Sequence, residues 1–248
     1  RIGQIHGRSV AAHKSASLAA ITDVDAKAVA ALAQETGAAV AKSVADIIAD
    51  KSIDAVLICT PTDTHADLIE QAAKAGKAVF CEKPVDLSAD RVRACLKVVA
   101  ATKAPLMIGF NRRFDPSFAS LQQRLAAGEI GKAEIVTILS RDPGPPPVSY
   151  ITRSGGLFRD MMIHDLDMAR FLLGEEPVEV SALASCLVDA EIGKAGDIDT
   201  AVVTLRTASG KLAQISNSRR ATYGYDQRIE VHGSGGLLRA HNLHATTV

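Results

Sequence analysis

The sequence predicts an α/β protein: a doubly wound, Rossmann-like parallel sheet, followed by an α+β domain built on a mostly antiparallel sheet. Three observations predict it. From residue 18 to residue 110, short β-branched runs alternate with alanine-rich helical patterns, the signature of βαβ units. Strand runs such as AVLIC are apolar throughout, as expected when helices cover both faces of a sheet. From Val178 onward, alternating period-two runs dominate, with ASGK as a hairpin turn between two of them.

The elements follow in order. RIGQIHGRSVAAHK starts inside a helix-like pattern with no strand before it, so the first strand of the sheet is expected to be missing from the chain. Strands are predicted at 18–24, 38–40, 54–60, 78–83 and 105–110, separated by the helices DAKAVAALAQETG, SVADIIAD, THADLIEQAAKAG and SADRVRACLKVVAATKA. Ser43 and Ser88 stand where helix N-caps belong, and Gly37 and Gly76 where a left-handed residue ends a helix. After Phe110 come a helix, PSFASLQQRLAAGEIG, a strand, AEIVTILSR, and the loop DPGPPPVS, whose prolines forbid regular structure. GGLFRDMMIHDLDMARFLLG reads as one helix ended by Gly174, and VEVSALASCLV, DTAVVTLRT, KLAQISNSR and QRIEVHG read as strands. The predicted domains are 1–111, binding a dinucleotide, and 112–248, binding substrate.

Composition narrows the function. The 248 residues carry 28 Lys plus Arg against 28 Asp plus Glu, so no basic surface invites nucleic acid or an anionic membrane. No apolar run approaches the roughly 18 residues of a membrane span. The four cysteines include no CxxC pair, which predicts neither a zinc knuckle nor a disulfide framework and points to a reducing cytoplasm.

A dinucleotide-binding sheet needs a glycine-rich turn so that backbone can approach a pyrophosphate at a helix N-terminus. Only Ile2 and Gly3 remain at that place. Asp23, about twenty residues on at the end of the second strand, is where a carboxylate accepts the adenine-ribose hydroxyls and repels a 2'-phosphate, which favours NAD over NADP. Capping of the next helix is an equal alternative for Asp23. Ligands sit outside the carboxyl ends of such strands, which singles out Thr60, Pro61 and Thr62 after one strand and Glu82 and Lys83 after the next. His65, at the start of a helix on that edge, has two readings, cofactor contact or cap. A surface ion pair is the competing reading of Glu82 and Lys83.

ICTPTDTHADLIEQAAKAGKAVFCEKPVDLS resembles the core of the Gfo/Idh/MocA oxidoreductases, with EKP after the fifth strand of their dinucleotide domain. FNRRFDPSF resembles their crossover into the second domain, and GGLFRDMMIHDLDMARFLLG their catalytic helix. Within the family, YGYD, NRRFD and the Asp-x-x-x-His spacing are most similar to the inositol 2-dehydrogenases. The resemblance implies NAD-dependent oxidation of a secondary hydroxyl on a cyclic polyol such as myo-inositol. It also shows the chain stopping before the family's C-terminal helices, so a truncated chain is expected.

Asp160 and His164, four residues apart on a helix, share a face. Alcohol oxidation needs a base for the hydroxyl proton, and histidine titrates near neutral pH. His164 is the candidate base, Asp160 its orienting carboxylate, and Lys83 a donor to the reacting oxygen. Asp160, His164 and Asp167 form an alternative divalent-metal set, set aside because hydride transfer to NAD needs no metal. Asn111, Arg112, Tyr223 and Tyr225 are candidate substrate contacts, the tyrosines facing one side if they alternate along a strand. His6, His13, His232, His241 and His244 read as structural. Two other outcomes stay open: another sugar dehydrogenase or reductase of the family, and a non-catalytic sensor of dinucleotide and sugar. An exposed antiparallel sheet is expected to pair copies into a dimer or tetramer.

Overall fold

The computed structural model describes residues 2–242, which fall into two units meeting in the sequence between Gly109 and Phe110. His244 lies outside the described residues.

In the first unit, α1 (Ile2–Ala12) precedes a parallel pair, β1 (Ala20–Ile21) and β2 (Ala39–Val40), and a parallel three-stranded sheet, β3 (Ala55–Ile58), β4 (Ala78–Cys81) and β5 (Leu106–Ile108), in that order. The helices between strands begin and end where local chemistry dictates. Asp25 caps α2 (Ala26–Thr36), accepting from the Lys27 and Ala28 amides, and Gly37 ends it at φ 76°. Ser43 accepts from the Asp46 amide at the start of α3 (Val44–Ala49), and Ser88 from the Arg91 amide at the start of α5 (Ala89–Thr102). Each such cap contributes about 1 kcal/mol. Gly76, at φ 78°, follows α4 (His65–Lys74). The core of this unit joins Ile58, Val79 and Cys81 from the strands to Ile69 and Ala72 of α4 and Cys95 of α5. Ile69, Ala72, Cys81 and Cys95 have no exposed surface.

The second unit is a six-stranded sheet in the order β11-β10-β6-β9-β8-β7, from β6 (Ala133–Arg141), β7 (Pro177–Ser185), β8 (Thr200–Thr207), β9 (Leu212–Ser218), β10 (Asp226–Gly233) and β11 (Gly236–His241). All neighbours are antiparallel except β6 and β9, which run parallel at its centre. One face carries α6 (Pro116–Ala126) and α8 (Ile163–Leu173), with Phe118, Leu121, Met168 and Leu172 packed on Val136, Ile138, Val203, Ile215 and Val231. Burying each of these large apolar side chains contributes about 1.5–3 kcal/mol before the entropy of ordering it is counted.

Several segments differ from the sequence-based expectation. The loop of prolines gives way at Val148 to a short helix, α7 (Val148–Ser154), because Pro147 at the N-cap position needs no amide bond. The stretch 155–174 is not one helix: Gly155 and Gly156 (φ 88° and 76°) lead into a π turn, Leu157–Met161, and α8 starts only at Ile163. A further short helix, α9 (Ala190–Lys194), caps on Asp189. Among the described residues, no helix is long and apolar enough to cross a membrane, and all four cysteines are free.

Candidate active site

In the first unit, α1 has no acidic residue in its own first turn to offset the positive end of its dipole. A Cβ on Gly3 would come 3.3 Å from the Cβ of Cys59, which shows how closely the first turn of α1 passes the end of β3. Asp23 is exposed, and its Oδ1 accepts from the Asp25 amide at 3.0 Å. The cap of α2 is Asp25, so the capping alternative for Asp23 is corrected: its place is the turn before the helix. An anion-attracting helix N-terminus and an exposed carboxylate after β1 are the donor and acceptor set that a dinucleotide's pyrophosphate and ribose require.

At the ends of β3 and β4, Thr60 Oγ1 lies 2.6 Å from Thr64 Oγ1, and Pro61 leads into a single 3₁₀ turn, Thr62–Thr64. His65 is not the cap of α4, whose N-cap position is Thr64. It is 2% exposed, with Nδ1 2.7 Å from the Pro84 carbonyl and Nε2 2.8 Å from the Thr60 carbonyl. Both ring nitrogens are thus engaged by backbone, and His65 ties together the turns that follow the two strands. Glu82 reaches inward as well: its Oε1 is 2.6 Å from Nε2 of His6, and a Cβ on Gly109 would meet its carboxylate at 3.1 Å. It joins α1 to the end of β4. Lys83 follows, half-buried, ahead of a cis bond to Pro84.

In the second unit, Asn111, Arg112, Phe114, His164, Tyr225 and Gln227 line one cavity of about 620 Å³, within the range of small-molecule sites. The sequence-predicted residues Asn111, Arg112, His164 and Tyr225 are thereby brought together. Beneath them lies Asp165, without exposed surface, which accepts from Arg112, from Ser140 Oγ at 2.6 Å and from Asn217 Nδ2 at 2.8 Å. Gln227 Nε2 donates to Ser140 Oγ at 3.0 Å. A buried carboxylate is tolerable only when it is paired and hydrogen-bonded in this way.

Tyr223 is a correction. The two tyrosines precede β10, and Gly224 between them has φ 110°, so they do not alternate as strand residues. Tyr223 turns aside and donates to Asp226 Oδ2 at 2.9 Å, while Tyr225 lines the cavity. Burial raises the Tyr225 hydroxyl above its ordinary range against the pull of Arg112, so it is a neutral donor at working pH.

Asp160 lies in the π turn, not in α8, and the hydrogen bond from the Met162 amide to the Leu157 carbonyl, 2.9 Å, closes that wider turn. Such turns recur at functional sites because the inserted residue re-aims the side chains around it. Its carboxylate accepts from the Tyr150 hydroxyl at 2.9 Å and lies 3.7 Å from the Arg219 guanidinium. Asp167, the third member of the alternative metal set, is bound by Arg113 at 2.8 and 2.6 Å, with that guanidinium stacked over Phe171. Among the described residues, no group of three His, Cys, Asp or Glu side chains is placed to hold a metal ion.

Sequence reasoning missed Tyr150, Arg219, Asp165 and Asp142. Burial pushes the Asp142 carboxyl above its ordinary range, opposed by Arg219 and Arg112 and reinforced by Asp160 and Asp165. One signal was present: Ser140 and Asn217 occupy inward positions of β6 and β9 beside apolar residues, and polar groups there require a buried partner.

Fold, dinucleotide end and polar cavity together define an NAD-binding oxidoreductase. Residues 1–110 match the family described as oxidoreductase family, NAD-binding Rossmann fold, and residues 118–239 match the GFO/IDH/MocA C-terminal domain; the chain belongs to the Gfo/Idh/MocA oxidoreductases. It is 60% identical over 248 residues to inositol 2-dehydrogenase of Rhizobium meliloti, covering all of this chain and 75% of that protein. The crystal structure of a myo-inositol dehydrogenase from Corynebacterium glutamicum superposes with a TM-score of 0.94 at 46% identity, over 100% of this chain and 74% of that one. That of scyllo-inositol dehydrogenase from Lactobacillus casei, with NAD(H) and scyllo-inositol bound, superposes at 0.88 with 33% identity, over 97% and 73%.

Proposed function

We propose that this chain oxidises the C2 hydroxyl of myo-inositol with NAD as acceptor. The observation that carries the reading is the second unit's cavity, where an imidazole shares the wall with amide, guanidinium and phenol donors suited to a ring bearing hydroxyls on every carbon. NAD, when bound, supplies the hydride acceptor, held by the N-terminus of α1 at Ile2 and Gly3, by Asp23, and by the turns at Thr60, Pro61, Thr62 and Lys83. His164 takes the hydroxyl proton. Asp160 orients the imidazole and balances the positive charge that forms on it. Lys83, after β4 of the first unit, is proposed as a donor that stabilises negative charge developing on an oxygen during the reaction. Asn111 and the neutral Tyr225 hydroxyl hold the neighbouring ring hydroxyls. Arg112, already bound by Asp165, acts as a fixed wall and shapes the site.

A screen of NADH formation with inositols and aldoses tests this, using the full-length protein. Turnover greatest with myo-inositol and NAD is expected. Preference for scyllo-inositol changes the stereochemistry only, whereas NAD binding with no turnover on any polyol favours the sensor. Copies of the chain are proposed to pair through the sheet's outer face, where Leu183 and its cross-strand neighbour Val202 are exposed. Light scattering showing a monomer would refute that pairing.

A further inference from the structure

Arg219, the residue after β9, is an unusual thing to bury. It is 1% exposed, and among the described residues neither its Nε nor its Nη2 makes a hydrogen bond. Burying a guanidinium costs several kcal/mol unless charge of the opposite sign is close. Two carboxylates are: Nη1 is 3.7 Å from Oδ2 of Asp160, and Nη2 is 4.0 Å from Oδ2 of Asp197. Those carboxylates sit at the two ends of the π turn. Asp197 accepts from the Leu157 amide at its start, and a Cβ on Gly156 would fall 2.4 Å from Asp197 Oδ1, so the contact requires glycine there. Asp160 stands near the turn's end, and its other oxygen, Oδ1, accepts from Tyr150 of α7. Tyr150 is half exposed, so it is not needed to fill a core.

We infer that Tyr150 and Arg219 are positioning residues for the oxidation: together they fix both oxygens of Asp160, and through it the imidazole of His164. This inference rests on the proposed role of Asp160. The Arg219 charge clamps the π turn from below, through Asp197 at one end and Asp160 at the other. The Tyr150 hydroxyl sets the rotation of the Asp160 carboxylate from the solvent side.

The test uses Tyr150→Phe, Arg219→Lys, Arg219→Met and Asp160→Asn in the full-length protein, reading kcat, KM for myo-inositol, NAD affinity and Tm. Tyr150→Phe is expected to lower kcat about tenfold, the worth of one hydrogen bond to a charged group, with KM, NAD affinity and Tm close to wild type. Arg219→Met is expected to lower kcat further and also Tm, and Arg219→Lys to recover part of the kcat. Added to Asp160→Asn, Tyr150→Phe should cost nothing more, because its effect runs through the missing charge. Wild-type kcat in Tyr150→Phe, or an equal loss in the Asp160→Asn background, overturns the inference. If Asp160→Asn itself turns over normally, the role of Asp160 has failed first; if Asp160→Asn is slow while Tyr150→Phe is normal, only the present inference has failed.

Discussion

Arg112 donates to Asp165, a carboxylate with no exposed surface, directly beneath the cavity that His164 lines. The pair sets the limits of what the site can do. Arg112 is already engaged by the protein, and with Ser140 and Asn217 it closes a buried polar network joining the segment after Phe110 to α8, β6 and β9. The cavity floor is therefore rigid and charge-balanced, and recognition of a neutral polyol falls to the remaining wall residues.

Breaking that pair from one side should be costly. Asp165→Ala leaves the Arg112 guanidinium buried without its counter-charge and is expected to destabilise the protein by about 3–5 kcal/mol. Replacing both, as Arg112→Met with Asp165→Leu, should recover most of the loss. Urea unfolding of the single and double variants measures it; additive losses would show that the two residues do not act as a pair.

The tyrosines should separate kinetically. Tyr225→Phe removes a donor from the cavity and is expected to raise KM for the polyol about three- to tenfold with kcat little changed, as for loss of one neutral hydrogen bond. Tyr223→Phe loses only its bond to Asp226 and should leave KM near wild type. Equal effects on KM in initial-rate measurements would contradict the placement of the two rings.

Much of the architecture was legible because its determinants are local. Ser43, Ser88 and Gly37 mark helix ends by their own hydrogen bonds or backbone preference, and the reading needs no knowledge of distant contacts. The π turn was not legible, since one extra residue per turn barely alters an apolar pattern counted over two turns, and Asp160 was consequently placed on α8. The strand alternation assumed for Tyr223 and Tyr225 failed at a single torsion, that of Gly224. His65 and Arg219 were opaque for a different reason: their partners, Pro84 for one and Asp160 and Asp197 for the other, are distant in sequence, and only the folded chain brings them near.

Acid should unfold the second unit partly through Asp199. Burial alone would raise this carboxyl, but the amides of Leu187, Asp189 and Val188 and the Thr200 hydroxyl outweigh it and hold the pKa at about 2. A carboxyl lowered in the folded state stabilises it fully above the unfolded value of about 4. That contribution is lost as pH falls through about 2. Asp199→Asn is expected to be less stable at pH 7 by about 2 kcal/mol, the gap narrowing below about pH 4. A gap independent of pH in thermal melts would contradict this assignment.

Cofactor choice should depend on Asp23. Asp23→Ser removes an exposed carboxylate while Asp25 keeps its cap on α2, so Tm should hardly move. NAD affinity is expected to fall about tenfold and NADP turnover to become measurable, because the 2'-phosphate no longer meets a negative charge. Undiminished discrimination against NADP would move the ribose contact elsewhere.

The most direct test of the account follows the hydride itself. Myo-inositol carrying deuterium at C2, incubated with NAD and the full-length protein, is predicted to yield NADH bearing that deuterium at the nicotinamide ring and an unlabelled ketone, with the rate collapsing in both Lys83→Ala and His164→Ala. Unlabelled NADH, or wild-type turnover in both variants, would contradict it.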